Sequence, residues 1–145
     1  MDHVVYLDAG AKELDLLLSG QKTMIIRGAT GRKLPYGRVE QGDVLYFINN
    51  NAEGLVRAMG RVKSVLNSEK LTEEESARLI DGYQDRLQLT EKQYTRWAGK
   101  RYLVLIEVGQ VAALEPFRID KSAFGNMDDW LAVEQVERVR LERRE

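Results

Sequence analysis

Leu14, Leu17 and Leu18 recur at three-to-four spacing, which makes an apolar stripe along a helix. Asp8 stands where it can cap that helix. Gly20 falls where it should end, because glycine takes the left-handed conformation without a side-chain clash. Before the stripe, His3 to Leu7 is short and rich in Val and Tyr, and reads as a strand. After it, Thr23 to Arg27 is β-branched and apolar, a second strand with Lys22 at its mouth. Gly28 to Gly42 holds four glycines and a proline, which predicts a long loop.

Gly42-Asp43 is a turn signal leading into the aromatic and aliphatic strand Val44 to Ile48. Asn49, Asn50, Asn51 and Gly54 predict a hairpin connection, since Asn and Gly tolerate positive φ. Leu55 to Leu66 reads as one long strand with a bulge near Gly60. Two capping boxes follow. Thr72 with Glu75 starts a helix to about Tyr83, and Thr90 with Gln93 starts one to Ala98, ending at Gly99. Tyr102 to Leu114 opens on a continuous apolar run, the mark of a buried central strand. Residues 116–131 read as irregular. In 132–141, helix and strand patterns compete, and β-branched content favours a short strand with a charged tail. Strands with helices on one side define an α+β fold, and five or six strands with a glycine bulge can curl into a small barrel.

Composition narrows the chemistry. The chain has 145 residues, enough for one domain with a real core, and 43% of them are hydrophobic. The reading is a single domain over 1–145, with 110–145 an extension packing on the barrel. There is no cysteine, which excludes disulfides, thiolate metal sites and thiol catalysis. His3 is the one histidine, so serine–histidine catalysis and histidine metal centres are not expected. Apolar runs are too short to span a membrane, and the N-terminus lacks a secretory pattern, so the expected location is cytoplasmic. No cofactor is expected. No metal is expected either, because the pair Asp128 and Asp129 lacks a third ligand.

Charge is segregated although the formal net is only -1. Residues 16–39 hold Lys22, Arg27, Arg32, Lys33 and Arg38 with no acid. Residues 92–106 hold Lys92, Arg96, Lys100 and Arg101 with no acid, between acidic stretches at 69–91 and 115–137. If the fold joins the two basic windows, they make one positive face suited to a phosphate backbone or a nucleotide. Neither a Gly-x-Gly-x-x-Gly nor a Walker pattern is present, which gives no support to triphosphate binding.

The helix ending in Gly20, then Lys22-Thr23 and Arg27, is similar to the Gly-x-Lys-Thr-x-Glu-x-Arg signature of the ASCH family, a branch of the PUA-like β-barrel superfamily. The Gly42-Asp43 turn before Val44-Leu45-Tyr46-Phe47, and the Gly60 strand followed by a helical insertion and the strand at Tyr102, complete the resemblance over residues 3 to 114. It implies a PUA-like barrel with a cleft beside the Lys-Thr strand, and binding of RNA or modified nucleic acid, with hydrolysis in some members. Ile25 stands where the signature has glutamate. Small members that deacylate modified cytidine use a lysine, a threonine and a glutamate. Lys22 matches the lysine, Thr23 is two residues displaced, and Glu73, Glu74 or Glu75 lie near the third place.

The leading expectation is therefore an RNA-binding module. Its cleft would use Lys22, Thr23, Arg27, Tyr36 and Arg38, surrounded by Arg32, Lys33, Asn50, Arg96, Trp97 and Lys100. Arginine forks onto phosphate, lysine holds it as a point charge, and Tyr36 or Trp97 can stack on an unpaired base. Two other classes compete. One is a small hydrolase of a modified nucleoside or an RNA phosphodiester, with Lys22, Thr23 and Glu74 as its catalytic set. The other is a protein-interaction domain.

Overall fold

The computed structural model describes residues 1–124 and 129–141. Its chain order is β1 (Asp2–Leu7), α1 (Glu13–Ser19), β2 (Met24–Ala29), β3 (Val44–Asn49), β4 (Leu55–Asn67), α2 (Glu73–Leu87), α3 (Glu91–Trp97), β5 (Tyr102–Ile119), β6 (Trp130–Glu134), a 3₁₀ turn (Val136–Arg138) and β7 (Arg140–Leu141). The strands form one sheet in the order β2-β5-β4-β3-β1-β6, with β7 on β5. β1 and β3 run parallel and the other pairs antiparallel. The sheet curls into a half-barrel carrying three helices, an α+β fold of the expected kind.

Local chemistry explains most elements. Gly20 closes α1 at φ 81, and its N–H donates to the Leu17 carbonyl. Both capping boxes form as the sequence predicts, Thr72 with Glu75 and Thr90 with Gln93. α2 runs on past Tyr83 to Leu87, because Ile80 and Leu87 keep an apolar face toward the sheet. α1 begins later than Asp8. The Asp8 carboxylate instead accepts the Ala11 N–H at 3.0 Å in the turn before the helix.

The largest departure is β5, which continues through residues expected to be irregular. Pairing explains it. Val56 faces Phe117 while Ala58 faces Ala113, so between these pairs one residue of β4, Arg57, opposes three of β5. Pro116 falls inside that bulge, where its missing N–H costs no ladder bond. A second break lies at Gly60, as expected, but the extra residue sits in the facing strand, where Gln110 takes φ 54. Gly60 also lets strands approach, since a Cβ there would lie 3.1 Å from Val111. The expected strand over 132–141 is split: β6 starts at Trp130, and a 3₁₀ turn separates it from β7.

Three apolar clusters result. Ile25, Val5, Phe47, Val104, Ile106 and Trp130 fill the inside of the curl, with Leu14 and Leu17 of α1 against them. Met24 and Ile26 point the other way, under Ile80, Leu87 and Trp97 of the two later helices. Val4, Ile48, Phe117 and Leu131 make a third cluster, on the opposite side of β1 from Val5. Strand alternation therefore puts Arg27 on the Ile25 side, at the mouth of the curl. There the two ends of the sheet, β2 and β6, face each other across an open seam.

Candidate nucleic-acid interface at the sheet seam

Arg27 bridges that seam. It is 7% exposed, yet its guanidinium touches both edges of the opening. Nη1 donates to the Ile26 carbonyl at 2.7 Å and Nη2 to the Tyr6 carbonyl at 2.6 Å. Nε lies 3.3 Å from Asp129 Oδ2 but has no well-formed hydrogen bond among the described residues. Arg96 of α3 approaches the same oxygen at 3.6 Å. Its guanidinium stacks 4.4 Å from the Trp97 ring, and Arg27 lies 5.9 Å from that ring and 5.7 Å from Trp130. These groups surround a hollow of about 100 Å³, whose wall also includes Tyr6, Asp8, Glu13, Asn50 and Gln93.

The two basic windows meet here. β2 pairs with the start of β5, Ala29 opposite Tyr102 and Gly28 opposite Leu103. Gly28 permits the approach: a Cβ there would lie 2.8 Å from Leu103 and 3.2 Å from the Lys100 side chain. Of the expected binding residues, Arg27, Asn50, Arg96 and Trp97 share the hollow. Asn50 is held by the Ala9 N–H, which donates to its Oδ1 at 2.9 Å. The hollow is not uniformly basic. Asp8, Glu13 and Asp129 stand in its wall beside the two arginines.

Lys22 lies behind this wall rather than in it. It is 1% exposed, donates to the Leu87 carbonyl and pairs with Glu13 Oε2 at 3.3 Å. Burial pulls its pKa below the usual lysine value, and the Glu13 charge offsets that in part. Glu13 is itself engaged on its other oxygen by the Asp8 N–H at 3.0 Å. Lys22 thus ties α1, the start of β2 and the end of α2 together. The carboxylate beside it is Glu13, whereas Glu74 has an 89% exposed side chain 3.9 Å from Arg78. Thr23 is fixed through its backbone, its N–H donating to Arg86 and its carbonyl accepting from Val108.

The glycine-rich loop is anchored. Tyr36 donates to the Ser68 carbonyl and meets Tyr102 edge-on at 5.6 Å, while the Gly37 N–H donates to Asn67 at 2.9 Å. Arg32 sits over both tyrosine rings at 5.7 and 5.6 Å. Lys33 and Tyr36 line a shallow depression whose wall Arg27 shares. Arg38 is exposed further along the loop.

Sequence reasoning did not single out Tyr6, Asp8, Glu13 or Gln93 for the site, and weighed Asp129 only as a metal ligand. Glu13 carried a signal: it stands four residues before Leu17, an acid in the helix's apolar stripe. Asp129 carried none, because its partners lie on β2 and α3. Asp128 falls outside the described residues. Among the described residues no three His, Cys, Asp or Glu side chains gather to hold a metal, and no helix is long and apolar enough to cross a membrane.

With α1 against the inside of the curl, α2 and α3 against its other face and a polar hollow at the seam, the half-barrel has the form of a PUA-like fold. More closely, the chain resembles the crystal structure of ASCH from Zymomonas mobilis, with a TM-score of 0.64 at 17% identity over 92% of this chain and 89% of that one. A tyrosine-to-phenylalanine mutant of that protein matches at a TM-score of 0.65, with 16% identity and 94% of each chain covered. A serine-to-alanine mutant matches at 0.66, also with 16% identity, over 94% of this chain and 92% of that one. No family model and no curated protein matches the sequence. The chain has an ASCH-type fold.

Proposed function

We propose that the protein binds single-stranded RNA, seating one phosphate or base edge of an unpaired nucleotide in the hollow between Arg27, Arg96 and Trp97. The observation that carries this reading is the convergence of Arg27 and Arg96 on one carboxylate oxygen of Asp129. Two guanidiniums aimed at one anionic oxygen, beside an indole, make a receptor for a nucleotide phosphate. Arg27 is held there by two carbonyls, so little ordering is left for binding. Arg32, Lys33 and Arg38 on the adjoining loop and Lys100 ahead of β5 would meet neighbouring phosphates, with Tyr36 as a further ring on that loop, and Asn50 would offer an amide to a base edge.

Hydrolysis has less support. Lys22 is enclosed by Glu13 and the Leu87 carbonyl, and Glu74 is turned to solvent. A site for a protein partner has no specific feature in its favour.

Fluorescence anisotropy tests the reading, with an eight-nucleotide single-stranded RNA, the matching DNA and an RNA duplex. Affinity for the single strand should fall linearly in log salt, and Arg96→Ala should weaken it by about tenfold with a shallower slope. Salt-independent association, or no effect of Arg96→Ala, would overturn it.

A further inference from the structure

The seam hollow is smaller than a nucleotide. Its volume of about 100 Å³ lies below the roughly 300–1,000 Å³ usual for small-molecule sites. A second hollow of about 530 Å³ opens across the same rim, for Tyr6, Asn50 and Asp129 stand in both walls. Its surface is mainly apolar, with Ile48, Ile119 and Tyr6 contributing, and two cations stand in its wall. The Lys121 ammonium lies 5.3 Å from the Tyr6 ring centroid, and Arg118 donates to the Glu53 carbonyl at 3.0 Å.

We propose that this second hollow is a nucleobase subsite, taking the base of the nucleotide whose phosphate docks on Arg27 and Arg96. The proposal rests on the RNA-binding reading above and names where the rest of the ligand goes. Size supports it, since the larger hollow admits what the seam cannot. Continuity supports it, since Tyr6, Asn50 and Asp129 form the boundary that the two hollows share. Chemistry supports it too. An aromatic ring flanked by aliphatic side chains suits a flat base of any sequence, and stacking on a base outweighs an exposed cation–ring contact. A base arriving on Tyr6 would displace the Lys121 ammonium, which then meets the next phosphate of the strand.

The test compares ribose 5-phosphate with uridine 5′-monophosphate by NMR titration, and adds tetrauridylate by calorimetry across a salt series. The nucleotide should bind about tenfold more tightly than the bare sugar phosphate. Tyr6→Leu should shrink that difference, bringing the nucleotide's affinity toward that of the sugar phosphate. Lys121→Ala, a change at the rim that does not depend on the core, should lower the salt slope for tetrauridylate by about one. Lys70→Ala, outside both hollows, should leave it unaltered. Equal affinity for the two small probes, with both weakened by Arg96→Ala, would overturn the subsite and leave the seam reading standing. If Arg96→Ala changes neither probe, the seam reading fails and the subsite with it.

Discussion

The Arg27 guanidinium reaches Asp129 across the open seam of the sheet, Nε to Oδ2 at 3.3 Å. The two residues sit at opposite ends of the strand order, on β2 and immediately before β6. A sheet of this curvature leaves its two edge strands unpaired, and here a side-chain contact spans the gap. The contact places a carboxylate where the proposed ligand's phosphate would lie. Asp129 has a 41% exposed side chain, so it can leave more cheaply than a buried partner could.

Asp129→Asn should therefore strengthen RNA binding while weakening the fold slightly. The amide keeps the shape but gives up the charge that competes with phosphate. Affinity should rise by about threefold to tenfold at low salt, and the gain should shrink as salt screens it. Stability should drop by about 1 kcal/mol or less, the usual worth of a half-exposed pair. Anisotropy and urea denaturation on the same variant measure both.

Lys22→Ala should be among the most damaging single changes in the chain. Removing the lysine leaves the Glu13 carboxylate buried, with the Asp8 N–H its one remaining hydrogen-bond partner among the described residues. Loss of one member of a buried pair costs about 3–5 kcal/mol. Replacing both members, as Lys22→Met with Glu13→Leu, should recover most of that, because two apolar side chains fill the space with no charge left over. Chemical denaturation of the single and double variants gives the coupling directly.

Local signals carried much of the fold into the sequence. The Gly20 cap and the two capping boxes depend on residues within four positions of each other, and all three form. β5 was harder, because Pro116 normally argues against a strand, and the bulge that accommodates it is a property of the pairing with β4. The site divides the same way. Its cations were visible as one-sign windows, and the pairing of β2 with β5 joins them. The acids among them were not, since Glu13 and Asp129 meet their partners only after the chain has folded. Lys22 shows the limit most clearly: its place in a short motif suggested a ligand contact in the cleft, and its burial against Glu13 gives it a role inside the fold instead.

Trp97→Phe should separate the site from the core beneath it. Trp97 packs under α3 with Met24, Ile26 and Leu103, and its ring carries Arg96 at 4.4 Å. Phenylalanine keeps most of the packing, so stability should fall by about 1–2 kcal/mol. It gives Arg96 a smaller, weaker platform, and RNA affinity should fall by about threefold. Thermal melting and anisotropy distinguish the two effects. A full loss of binding in a folded protein would mean the indole itself contacts the ligand.

The pH dependence of stability should be set on the acid side by His3, whose ring is buried between Asp43 and Trp130. Trp130 Nε1–H donates to His3 Nδ1 at 3.1 Å, and an indole N–H can only donate. The ring's proton therefore sits on Nε2, which donates to Asp43 Oδ2 at 2.9 Å. A second proton would have to enter at Nδ1, against the indole N–H. Burial lowers the His3 pKa below the usual 6.5, and the Asp43 hydrogen bond and charge offset that only in part. Burial acts to raise Asp43, but bonds from the Glu40 N–H, His3 and the N-terminal ammonium outweigh it and hold its pKa low. The unfolded chain takes up the histidine proton as pH falls through about 6.5, and the folded chain does so only at lower pH. Stability should thus be full above pH 6.5 and decline below it, by at most about 1.4 kcal/mol per pH unit from this residue. A further decline should follow in stronger acid as Asp43 is protonated. His3→Gln should be less stable at neutral pH but lose the dependence between pH 6.5 and 5. Melting curves for both proteins across that range are the measurement, and a parallel pH slope in the variant would remove His3 as its source.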